Sequence, residues 1–160
     1  IQNLKKSLIE KITLRVYPNK YAKNEEELFK QSFDSINIDS NKNMYDSMIQ
    51  NKLFIGTYNS TTILESLYMN YPTIMFWNPN QWELRDSAQE FFDQLIDSKI
   101  LHNDSLSAAN FINYVWDDLS SWWFSKKIQE IRINFCNQFV KTSINDKKKW
   151  IDFYSNLKRI

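Results

Sequence analysis

Glycine is almost missing from this 160-residue chain: Gly56 is the only one. That excludes a glycine-rich phosphate loop of any common spacing. A lone cysteine, Cys136, can form neither an internal disulfide nor a multi-cysteine zinc site. His102 is the single histidine, which excludes a histidine metal cluster and leaves a Ser-His-Asp triad no choice of base. No apolar run approaches the ~18 residues of a membrane-crossing helix, so no membrane span is expected. No signal-peptide pattern is present. Charge of one sign is lacking too. Lys+Arg 20 against Asp+Glu 19 leaves a formal +1, so no nucleic-acid partner is expected.

Large side chains are present instead. Hydrophobic residues make up 42% and aromatics 16%, with six tryptophans, so burial can offset the ordering entropy of a folded core. The length suits one domain, residues 1–160. The chain begins at Ile1 without a methionine, which leads us to expect a piece of a longer protein.

Apolar spacing predicts an alternating order. Leu4, Leu8 and Ile9 end a first helix, and Ile12–Tyr17 alternates like a strand. Asn24 followed by Glu25, Glu26 and Glu27 starts a helix running to about Ser32. Ile36–Asp39 is a short strand, and Met44, Met48 and Ile49 mark a short helix. Leu53–Tyr58 and Pro72–Trp77 read as strands buried on both faces, joined by a helix carrying Ile63, Leu64, Leu67 and Tyr68. A long helix is expected from Trp82 to Ile100, then an edge strand at Leu101-His102. Helices follow from Ser105 or Ser107 to Trp116, from about Trp122 to Val140, and from Asp146 to Leu157. Strands alternating with helices imply crossovers and a largely parallel, Rossmann-like α/β sheet, with a helical C-terminal extension over about residues 105–160.

Ligands bind such sheets at the carboxyl ends of the strands. The loop Tyr58-Asn59-Ser60-Thr61-Thr62 is the best candidate, because a hydroxyl-rich turn opening a helix can hold a phosphate. Glu65 can take ribose hydroxyls there, or serve as the N3 partner of Thr62 in a capping box. Arg15 can bind phosphate bidentately or simply face solvent. Trp77-Asn78-Pro79-Asn80-Gln81-Trp82 can stack on a base or sugar, unless its tryptophans pack on the next helix. Arg85, one turn on, reaches a phosphate or Glu83. His102 reads as a surface loop residue. Trp116, Trp122, Trp123 and Cys136 read as core. Asp117-Asp118 lacks the spacing of a metal–diphosphate clamp, and Lys147-Lys148-Lys149 reads as a solvated face.

Several segments together resemble one family. They are Leu14-Arg15-Val16-Tyr17-Pro18, Phe54 to Glu65, Pro72 to Trp77, Glu83-Leu84-Arg85-Asp86-Ser87-Ala88, Ser107-Ala108-Ala109, Trp116-Asp117-Asp118, Trp122-Trp123, Gln129 and Phe135-Cys136. The chain is similar, roughly from Leu4 to Trp150, to the C-terminal part of bacterial transferases from surface-carbohydrate gene clusters. These resemble two-domain glycosyltransferase-B enzymes, including CDP-glycerol glycerophosphotransferases and capsule-polysaccharide enzymes. The resemblance implies a half that binds a nucleotide-sugar or nucleotide-polyol donor. Asn59, Ser60, Thr61 and Thr62 would lie at the diphosphate with Arg15 and Arg85. Glu65 would lie at the ribose, and Trp77 or Asn78 at the base or sugar. The acceptor glycan and the general base would belong to an N-terminal half absent from this chain. No metal or other cofactor is expected, and the location implied is the cytoplasm or the inner membrane face. The scarcity of glycine departs from many relatives and makes a close backbone–phosphate approach harder. Rival readings are polyol-phosphate transfer at the same site, or an interaction domain with exposed tryptophans and no nucleotide affinity.

Overall fold

The computed structural model describes residues 1–16, 25–33, 36–41, 43–140 and 148. The elements are α1 (Lys6–Ile9), β1 (Thr13–Leu14), α2 (Glu25–Ser32), β2 (Asn37–Ile38), α3 (Met44–Ile49), β3 (Phe54–Gly56), α4 (Thr61–Tyr68), β4 (Thr73–Phe76), α5 (Asp86–Asp97), β5 (Leu101–His102), α6 (Ser105–Val115), α7 (Leu119–Trp123) and α8 (Lys126–Phe139). This is an α/β fold in which every pairing among the described strands is parallel. β1 pairs with β2, and β4 lies between β3 and β5.

β4 is the apolar, β-branched run that fits a central strand, with Thr73, Ile74 and Met75 fully buried. Its side chains alternate between two cores. Ile74 packs with Leu8, Ala108, Ile112, Val115 and Leu119. Met75 packs with Ile63, Leu67, Phe92, Leu95, Trp123, Ile128 and Phe135 on the opposite face. α1 and α6 thus cover one side, and α4, α5 and α8 the other. β3, an outer strand of its three-stranded sheet, differs from expectation: Ile55 is 36% exposed.

Two helices are shorter than their apolar spacing predicts. Asn78 caps a single tight turn, Pro79–Gln81, through its Oδ1 and the Asn80 N–H at 3.0 Å. Trp82 leaves the helical region and Arg85 is extended, so α5 begins only at Asp86. Ser125, extended at φ −62° and ψ 147°, likewise separates α7 from α8. The helix expected over Asp146–Leu157 lies outside the described residues, apart from the single helical residue Lys148.

With so little glycine, two helix ends are closed by other residues. Asn70 (φ 56°) and Lys99 (φ 64°) take the left-handed conformation after α4 and α5. Tyr71 N–H then reaches the Ser66 carbonyl, and Ile100 N–H the Leu95 carbonyl, each at 3.0 Å. The Asn70 side chain also accepts from Trp123 Nε1 and Gln129 Nε2, each at 3.0 Å. Lys99 has an exposed side chain and contributes its carbonyl instead. Lys99→Gly should therefore raise stability by about 0.5–1 kcal/mol, read as a higher thermal midpoint. Asn70→Gly should not, since it deletes the amide that holds Trp123.

Candidate functional site

The carboxyl ends of β3 and β4 lead into two polar loops, 57–60 and 77–85. The structure brings them together: the Tyr58 and Trp82 rings stack with centroids 6.4 Å apart and planes 25° apart. Both rings stay open to solvent, at 44% and 37% exposure. Beside them α4 begins with Ser60 as its N-cap, extended at φ −139° and ψ 163°. The Ser60 hydroxyl makes no capping bond to the helix. The first-turn amides of an eight-residue helix, with the hydroxyls of Ser60, Thr61 and Thr62, therefore form a cluster of donors at a positive helix end.

Thr62 is consequently not the N-cap, and the capping-box reading of Glu65 is corrected. Ile63 occupies N3, and Glu65 lies a turn into the helix, exposed and one i,i+4 step from Thr61. Asn59 and Ser60 are half-buried. Arg85 is exposed at the N-cap of α5, and Asn78 is exposed at its tight turn. Trp77 is a core residue: it is 6% exposed and meets Phe92 edge-on at 6.4 Å.

Arg15 sits just past β1. Its Nη1 donates to Asp39 Oδ2 at 2.7 Å and to the Asn41 carbonyl at 3.0 Å. Asp39 also accepts from Ser47 Oγ at 2.5 Å and from Asn41 N–H at 2.9 Å. Burial alone would push the Asp39 carboxyl up. The hydrogen bonds from Ser47, Arg15 and Asn41, with the Arg15 charge, outweigh it and hold the carboxyl below its ordinary range. This network braces the loops after β1 and β2. Spacing gave no signal for it, because its members lie on separate elements.

His102 is not the surface residue expected but is 3% exposed at the end of β5. The Lys99 carbonyl can only accept, so Nε2 carries the proton at 3.1 Å, and Nδ1 accepts from Ser107 Oγ at 2.8 Å. Burial pushes its pKa below the ordinary 6.5, reinforced by the Lys99 charge and opposed by the Lys99 carbonyl and Asp104. The folded protein thus favours the neutral ring while the unfolded chain takes up a proton first. Stability is complete above the unfolded pKa and falls as pH drops from 6.5 towards the lower folded value. Urea midpoints should fall between about pH 7.5 and 5.5, and His102→Gln should flatten that slope.

No group of acidic, histidine and cysteine side chains suited to a metal ion occurs among the described residues. No helix among them is long and apolar enough to cross a membrane. Among the described tryptophans, Trp77 and Trp123 are buried, Trp116 and Trp122 half-buried, and Trp82 alone is exposed.

Against known families, a transferase model matches residues 1–153, nearly the whole chain. The chain belongs to the LIC12162 family of transferases. No curated protein and no solved structure matches it. Family membership makes the protein a transferase, and a transferase must hold a donor and an acceptor. The loops at the carboxyl ends of β3 and β4 are where this fold gathers polar groups at a sheet edge.

Proposed function

We propose that this part of the transferase binds a nucleotide-activated donor at the carboxyl ends of β3 and β4, for transfer of a sugar to a growing bacterial surface glycan. The observation that carries the reading is the meeting of two polar loops across Tyr58 and Trp82, beside the N-terminus of α4, in a chain of a transferase family. The Ser60, Thr61 and Thr62 hydroxyls and the first amides of α4 donate to the diphosphate. Asn59 supports that loop. Arg85, with Arg15, offsets charge on the departing phosphates. Glu65 accepts from the ribose hydroxyls, and Asn78 contacts the base or sugar. The bond from sugar carbon to diphosphate oxygen breaks as an acceptor oxygen attacks, and the acceptor's proton passes to a base in a separate acceptor domain. Helix dipoles and arginines serve where other enzymes use a metal.

A polyol-phosphate donor would use the same contacts, with the bond breaking at phosphorus. Comparing turnover of a nucleotide sugar with that of a nucleotide polyol separates the two.

The binding test is calorimetric titration of the full-length protein with UDP, CDP, GDP and ADP. One nucleotide should bind. Glu65→Ala should weaken it about tenfold or more, as loss of charge-assisted hydrogen bonds requires. Binding that is indifferent to Glu65, or no binding to any of the four, would sink the assignment.

A further inference from the structure

The stacked pair at the loop junction has chemistry that hydroxyls and phosphates do not require. Tyr58 and Trp82 stay partly open to solvent, although stacked aromatics gain more when buried. The backbone places both residues. Tyr58 lies two residues past the end of β3, and the Trp82 backbone N–H donates to the Pro79 carbonyl at 3.2 Å. The two loops are rich in amides, Asn59, Asn78, Asn80 and Gln81, with Glu83 and Arg85 following Trp82. Asn78 Oδ1 is taken by the Asn80 N–H, which leaves its Nδ2 as a donor. An aromatic pair carried on amide-rich loops suits a planar heterocycle with hydrogen-bonding edges.

We propose that Tyr58 and Trp82 form the platform on which the donor's nucleobase stacks. Trp77, buried against Phe92, cannot supply that face. Trp82 is then a specificity residue, and the base lies over the loop junction while the diphosphate runs to the N-terminus of α4. This assignment rests on the nucleotide-donor reading.

The test uses the nucleoside diphosphate that binds best, with Tyr58→Ala, Trp82→Ala and Trp82→Phe in the full-length protein. Trp82→Ala should weaken binding roughly tenfold, in line with base–aromatic stacking, and Tyr58→Ala should also weaken it. Trp82→Phe should retain most of the affinity. In ligand-observed NMR the base protons of the bound nucleotide should shift upfield through ring currents, and Trp82→Ala should abolish that shift. Both rings are exposed, so the variants should fold, as circular dichroism will show. A nucleotide that binds Trp82→Ala as well as wild type, or ring-current shifts confined to the sugar protons, would overturn the platform and leave the donor site standing. Failure of wild type to bind any nucleotide would overturn both.

Discussion

Trp123→Ala should be the most damaging single truncation, costing about 3–5 kcal/mol in urea unfolding. Trp123 is fully buried between the sheet and α8. Its Nε1–H donates to the Asn70 carbonyl at 3.1 Å and to Asn70 Oδ1 at 3.0 Å. The same site gathers Gln129, whose Nε2 reaches Asn70 Oδ1 at 3.0 Å and the Trp123 carbonyl at 2.8 Å. Arg132 Nη1 donates to the Leu67 carbonyl at 2.9 Å, capping the end of α4. Truncation would open a cavity and strip a donor from this junction together. Trp123→Phe separates the two effects. It keeps most of the volume and loses the N–H, so about 1–3 kcal/mol is expected. Equal costs for the two variants would mean that the hydrogen bonds, not the packing, hold α7 and α8 against α4.

Gly56→Ala should cost about 1–3 kcal/mol, and Ile63→Val in the same chain should recover part of that loss. The sole glycine has no left-handed backbone to justify it. Its reason is proximity: a Cβ at position 56 would lie 2.9 Å from both Cγ1 and Cδ1 of Ile63. α4 therefore rests directly on β3, and this closeness sets where the N-terminus of α4 stands at the sheet edge. Ile63→Val removes Cδ1 and leaves the inner carbon, so recovery should be partial. An additive pair of costs would show that Ile63 turns aside freely and that Gly56 is not needed for the approach.

The order of elements was legible because it is written in short-range periodicity. The alternation of helices and strands from α1 to α6 follows from apolar spacing. The breaks were not legible. Trp82–Arg85 continues a helical pattern, yet it follows the tight turn capped by Asn78 and stays outside α5. Ser60 and Thr62 are equivalent in sequence as caps, and the choice depends on where β3 ends. His102 reads as polar loop, yet pairing of Leu101-His102 with Met75-Phe76 draws it inward, where the Lys99 carbonyl and Ser107 satisfy it. For the candidate site, the hydroxyl loop and Glu65 could be read from spacing. The Tyr58–Trp82 contact could not, because it depends on two crossovers placing separate loops side by side. The burial of Trp77 depends on α5 lying over it, which no local pattern reveals.

The most direct test of the donor site is a crystal structure of the full-length protein with the best-binding nucleoside diphosphate. The account predicts diphosphate density at the N-terminus of α4, within hydrogen-bond reach of Ser60, Thr61 and Thr62, with the ribose at Glu65. Nucleotide bound elsewhere, with the α4 terminus untouched, would contradict it.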